Sequence, residues 1–209
     1  MAGARGKLST HRASPFELGT SGEISRASGI GYEPIRASIS DSNPGSVFRG
    51  PYALMAFPLH TWRRDDLFVV TTDPSEFQIE EIHSFLTRSY WAERIPIETV
   101  EASIRGSIAF GLFEPGGRQV GFARAITDGA TFAYLADVYV LEELRGRGLG
   151  TFLMECVSSH PSLRGLRRWA LVTRDAHALY RRFGFTELAR PAGWMEKTDP
   201  EIYRRKETT

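Results

Sequence analysis

Six residues, Arg145-Gly-Arg-Gly-Leu-Gly150, combine two guanidinium groups with three glycines and run directly into a helical pattern. Leu149, Phe152, Leu153, Cys156 and Val157 recur at the spacing of one α-helical face. The first amides of a helix have no partner inside it, and the helix dipole adds positive potential there. Gly146, Gly148 and Gly150 allow left-handed backbone and let an anion approach without meeting a Cβ. Arg145 and Arg147 add full charges. The chemistry expected of this stretch is phosphate or pyrophosphate binding, carried mostly by main chain.

Spacing narrows the ligand. No Lys-Ser/Thr pair follows the glycines, so a Walker loop is excluded. A dinucleotide turn needs G-x-G-x-x-G, and the last gap here is one residue short. What remains, Arg145-x-x-Gly148-x-Gly150, resembles the acetyl-CoA pyrophosphate loop of the GNAT superfamily of N-acetyltransferases. A second motif lies downstream. Trp169-Ala-Leu-Val-Thr173 reads as a strand, and Asp175-Ala-His-Ala-Leu-Tyr180-Arg-Arg-Phe-Gly184-Phe185 as a short helix closed by glycine. This is similar to the N-x-x-A-x-x-L-Y-x-x-x-G-F signature of the same superfamily, with Arg174-Asp175 standing where Asn is usual. The resemblance covers about residues 67–195.

The resemblance implies an α/β (α+β) fold with a mixed, mostly antiparallel sheet and a splayed parallel strand pair at the acetyl-CoA site. It implies acetyl-CoA as co-substrate, direct transfer in a ternary complex, and no metal. Main chain at Val138, Tyr139 and Val140 would hold pantetheine and polarise the thioester. Arg145, Gly146, Arg147, Gly148, Leu149, Gly150, Thr151 and Asp175 would complete the cofactor site. Tyr180 matches the family tyrosine that can protonate the departing thiolate; its alternative is a buried tyrosine closing the groove. An aliphatic amine is neutral in only about one part per thousand at pH 7, so a general base is useful. Asp137, beside the expected thioester position, is the first candidate, with contact to an arginine as its structural alternative. Asp128 and His83 are weaker ones. Tyr90 and Trp91 are candidate acceptor contacts, or else core packing.

The elements that must position these residues are legible in outline. Leu67–Thr72 reads as a strand, Asp73-Pro-Ser-Glu76 as a capping box opening a helix to about Arg88, and Ile97–Ile104 as a second helix. Ser107–Phe113 and Gln119–Ile126 form a hairpin around Glu114-Pro-Gly-Gly117, and Asp128-Gly129 turns into the central strand ending at Val140. Phe185–Leu188 and Trp194–Lys197 are expected as closing edge strands.

Residues 1–64 are rich in Gly, Ser, Pro and Arg without periodicity and are expected to be a disordered or non-native extension, with Met55 an alternative start. The apolar Tyr52, Leu54, Met55, Phe57 and Leu59 could instead dock on the domain. The acetyltransferase domain is expected over 65–198 and a polar tail over 199–209. A formal charge of +1 gives no sign of a general nucleic-acid binder. The single cysteine, Cys156, falls on the apolar helix face and indicates a reducing, cytoplasmic compartment. No apolar run is long enough to span a membrane. The acceptor expected is a small-molecule amine. Protein or aminoacyl-tRNA amines, and a catalytically silent acyl-CoA-binding module, are the alternatives, and a homodimer is compatible with all of them.

Overall fold

The computed structural model describes residues 57–206, so the expectations for residues 1–56 and 207–209 lie outside the described residues. Six strands form one sheet in chain order: β1 (Thr61–Arg63), β2 (Val69–Thr71), β3 (Ile108–Phe113), β4 (Gln119–Thr127), β5 (Phe132–Val140) and β6 (Arg168–Ala170). All neighbours are antiparallel except β5 and β6, which run parallel. This is the expected mixed α/β sheet.

Helices cover both faces. On one side, α1 (Ile79–Leu86) and α2 (Ile97–Arg105) bury Ile82, Leu86, Val100 and Ile104 against Ala109, Phe113, Phe122 and Tyr139. On the other, α3 (Leu149–Ser159) buries Leu149, Phe152, Leu153, Cys156 and Val157 against Phe110, Leu112, Ala125 and Leu135. Every residue of β3 is buried, as its unbroken apolar run requires of a strand covered on both faces. Each large side chain so enclosed contributes about 1.5–3 kcal/mol. Helix α3 starts where Gly148 adopts a left-handed cap (φ 75°) and stops before Pro161, which steers His160 out of the helical region (ψ 128°). Burial raises the pKa of the Cys156 thiol, consistent with a packing role.

Several sequence expectations are corrected. Strand β1 pairs with β2 and lies before the expected boundary at residue 65, and Phe57 packs on the α3 side of the core. Asp73 does cap, accepting from the Ser75 amide at 2.9 Å, but Pro74–Glu76 is only a 3-10 turn. Phe77 then turns extended (ψ 135°) so that its ring reaches Phe122, and α1 begins afresh at Ile79. Residues 185–188 and 194–197 form no strands. Pro191–Gly193 makes a 3-10 turn between them, and the segment's predominantly exposed side chains have no covering layer to hold a flat ladder. After α4 (His177–Arg181), the described residues end in α5 (Ile202–Lys206), whose Tyr203 packs against the α1–α2 side, where a frayed tail was expected.

Candidate active site

The parallel pair parts early. Phe132, Ala133 and Tyr134 align with Arg168, Trp169 and Ala170, and there the pairing ends while β5 runs on to Val140. A wedge therefore opens in the sheet, which also explains why β6 is shorter than the run to Thr173 suggested.

Strand β5 carries a bulge in the same stretch. Its register on β4 passes from Arg124↔Ala136 to Phe122↔Tyr139, one extra residue on β5, and Asp137 takes a left-handed conformation (φ 54°). Aspartate is among the few residues with a side chain that tolerate this region. The slip reverses the strand's facing: Leu135 packs on the α3 side and Tyr139, four residues on, packs on the α1–α2 side. Past the bulge, Leu141 N–H donates to Val120 O at 2.9 Å, flanking the Gly121↔Val140 pair. Alternation then turns the Val140 amide and carbonyl toward the wedge, where Arg145 Nε donates to Val140 O at 3.2 Å.

At the wide end of the wedge lies the glycine-rich loop. Gly146 and Gly148 have φ of 77° and 75°, and a Cβ at Gly146 would meet nothing within 4 Å. Gly150 differs from expectation. It sits in the first turn of α3 without a positive φ, and a Cβ there would rest 3.6 Å from Leu179. Arg145 stands at the cleft, whereas Arg147 turns its guanidinium over the Phe68 ring, 5.2 Å from the centroid. The sequence motif did not separate the two.

A cleft of about 1100 Å³ joins the loop to the wedge. Its walls bring together Val138, Tyr139 and Val140 from β5, Gly146, Gly148, Leu149, Gly150 and Thr151 from the loop and α3, and Asp175 and Tyr180 from the α4 region. Tyr90 and Trp91 close it from the segment after α1. Tyr180 is 8% exposed, and burial, with smaller contributions from Tyr90 and Asp175, pushes its phenol up to about 12. It is a proton holder at any ordinary pH.

The three carboxylate and histidine candidates are all engaged elsewhere. Asp137 forms an ion pair with Arg124 Nε through one oxygen and accepts from Trp91 Nε1 at 3.1 Å through the other. Asp128 caps the amides of Ala130, Thr131 and Phe132 at the β4–β5 turn. His83 Nε2 lies 2.9 Å from the Ile95 carbonyl.

Four further residues join the cleft or its loop, and of these Phe85, Arg174 and Arg64 were not singled out as site residues by the sequence. Phe85 stacks on Tyr139, with centroids 3.7 Å apart, and lines the wall. Arg174 bridges to Tyr90: its amide donates to Tyr90 Oη at 3.3 Å and its guanidinium lies 3.9 Å from that ring. Arg182 Nη1 donates to Thr151 Oγ1 at 2.9 Å, placing a cation beside the first turn of α3. Arg64 reaches the loop from the opposite side, donating to Arg147 O. The position of Arg174 in the departed motif was a usable signal; Arg64 had none.

Comparison with known proteins agrees with this fold. Residues 107–187 match the family model described as an acetyltransferase (GNAT) domain. A protein of Gibberella zeae provisionally described as an acetyltransferase is 36% identical, over 57% of this chain and 78% of its own. A solved structure from Xanthomonas campestris pv. campestris, provisionally assigned to the GNAT family, is 50% identical with a TM-score of 0.63, covering 65% of this chain and 96% of that one. One from Deinococcus radiodurans R1, at 21% identity and TM-score 0.55 (66% of this chain, 92% of that one), shares the fold. The chain belongs to the GNAT family of acetyltransferases. It is a GNAT-type N-acetyltransferase. Among the described residues no helix is long and apolar enough to cross a membrane.

Proposed function

We propose that this protein moves an acetyl group from acetyl-CoA to the primary amine of a small molecule, in a cytoplasmic setting, by direct transfer within a ternary complex. The observation that carries this reading is the continuity of the cleft from the α3 N-terminus, through the wedge, to Tyr180. The residues present fit the donor: Gly146 and Gly148 leave the loop main chain open to a pyrophosphate, and Arg145 and Arg182 stand beside it. The free cysteine Cys156 supports the reducing compartment.

Acetyl-CoA, when bound, supplies a thioester whose carbonyl carbon the amine attacks as the C–S bond breaks. The loop amides and α3 dipole hold the phosphates, and the Val138–Val140 main chain lines the pantetheine channel. The outward Val140 amide is a donor for the carbonyl oxygen, an interaction worth about 2.7–4 kcal/mol in other acyl-transfer sites. Fixing two reactants in one wedge can contribute roughly 7–11 kcal/mol. Tyr180 gives its proton to the departing sulfur, the amine nitrogen loses one to water, and solvent returns a proton to the Tyr180 phenolate. With Arg124 and Trp91 on its two oxygens, Asp137 serves as the anchor of the bulge. The Tyr90–Arg174 bridge narrows the opening, which favours a small amine over a protein surface.

Calorimetric titration of acetyl-CoA and desulfo-CoA, followed by a thiol-release assay over an amine panel, tests the reading. Micromolar binding with amine-dependent thiol release is expected. Binding with no release from any amine would favour the silent module, and no binding would overturn the assignment of the loop.

A further inference from the structure

The turn between β1 and β2 is tight. Leu67 N–H donates to Arg64 O and Arg64 N–H to Phe68 O, each at 2.9 Å, with Leu67 held at φ 67°. That geometry fixes Arg64, whose side chain is 12% exposed. Its Nε and Nη2 grip both oxygens of Asp66 at 2.7 and 2.6 Å, a bidentate pair that sets the guanidinium plane. The remaining nitrogen, Nη1, donates at 3.2 Å to the carbonyl of Arg147, far along the chain in the glycine-rich loop. The same guanidinium lies 5.7 Å from the Phe152 ring centroid in α3, and a Cβ on Gly148 would sit 3.7 Å from Nη1.

A trans peptide points its carbonyl and its N–H in opposite directions. Drawing the Arg147 carbonyl toward the hairpin therefore sends the Gly148 N–H away from it, and Gly148 caps α3 and lines the cleft. We infer that Arg64 is a positioning residue: from the N-terminal hairpin it fixes the 147–148 peptide so that the loop presents its amide to the phosphates of the donor. The inference rests on the proposed acetyl-CoA site. Asp66 already balances the charge of Arg64, so the contribution is orientation of the peptide and not attraction of the ligand.

The test uses the full chain and the Arg64→Met, Arg64→Lys and Arg63→Met variants, the last an exposed neighbour on the same hairpin. Two quantities are read: hydrogen exchange of the Phe152 amide, which donates to Gly148 O at 3.0 Å, without ligand, and the Kd for CoA. Arg64→Met is expected to speed Phe152 exchange and to weaken CoA about fivefold, the loss of one modest hydrogen bond. Acceptor KM and kcat at saturating acetyl-CoA should hold within about twofold. Arg64→Lys should fall between, and it decides alone if the methionine variant does not fold. Arg63→Met should match the parent. Exchange and Kd both unchanged in the folded Arg64 variants would overturn the inference. If the parent binds no CoA, the acetyl-CoA reading fails, while the Phe152 exchange still decides whether Arg64 holds the loop.

Discussion

Trp91 donates its indole N–H to the Asp137 carboxylate across 3.1 Å, tying the segment after α1 to the left-handed bulge of β5. The adjacent Tyr90 is tied to Arg174 on the far side of the wedge. Two neighbouring aromatic residues thus span the opening, one anchored to each wall. Access to the cleft and bulge geometry are coupled through a single short segment.

Asp137→Asn is the variant that separates anchor from base. It keeps the shape and the Trp91 contact but leaves Arg124, 16% exposed, without its ion-pair partner. A general base removed should cost about 10²–10⁴ in rate and abolish any acid limb belonging to it. An anchor removed should lower stability, by about 1–3 kcal/mol for the uncompensated cation, and lower kcat while the shape of the pH–rate profile stays. We expect the second pattern. A lost acid limb in an otherwise stable variant would return Asp137 to the role of base.

Tyr180→Phe should bind CoA within about twofold of the parent and turn over about 100-fold more slowly, the low end for a positioned acid. With the phenol pushed up to about 12, Tyr180 keeps its proton throughout the working range, so the parent should show no alkaline limb from it below about pH 10. Single-turnover thiol release across pH measures both. Equal rates in the two proteins would leave Tyr180 as a wall of the cleft only.

Much of the site was legible because it is local. A glycine run entering a helix, and a tyrosine four residues before a glycine, are patterns within single elements. The sheet order followed from hairpin turns at Glu114–Gly117 and Asp128–Gly129. What escaped depends on contacts between distant segments. Arg64 and Arg147 are joined across the fold by one hydrogen bond, and no local pattern in either segment announces it. For Asp137 the sequence left base and arginine partner both open, because the bulge that turns it to Arg124 and Trp91 is a register effect between strands. The closing strands failed for a related reason: alternation at 185–188 suggests pairing, but Pro191–Gly193 interrupts the return.

Gly150 and Gly148 should respond oppositely to alanine. At Gly148 the left-handed φ makes a side chain costly, roughly 1–2 kcal/mol, and binding and stability should fall together. At Gly150 the backbone is helical and the new methyl finds ordinary contact with Leu179. Gly150→Ala should therefore stabilise the fold by up to about 1 kcal/mol. It should nevertheless weaken CoA, because Gly150 and Leu179 both line the cleft proposed for the donor. Thermal unfolding beside calorimetry reads both; tighter or unchanged CoA binding in Gly150→Ala would move the phosphates away from that turn.

His160 gives the fold an acid limit. Its ring is fully buried, with Nδ1 accepting from the Ser162 amide at 3.2 Å and Nε2 placed 3.1 Å from the Pro58 carbonyl, a pattern only the neutral Nε2–H tautomer satisfies. Burial lowers its pKa to about 4, and the neighbouring His60 pushes the same way, against the Pro58 hydrogen bond. An ordinary histidine titrates near 6.5, so between those values the unfolded chain holds a proton the folded one refuses. The stability from neutral His160 is therefore complete above about pH 6.5 and drains away as pH falls toward about 4. The limit is about 3 kcal/mol over that window. His60, itself lowered by burial and then by Arg164, adds in the same direction. Urea unfolding at pH 7 and pH 4.5 measures the slope. His160→Asn keeps an acceptor for Ser162 but cannot titrate, so it should be weaker at pH 7 and markedly flatter between the two. A parent curve as flat as the variant's would show that the folded ring takes up its proton as readily as the unfolded one, with no lowering by burial.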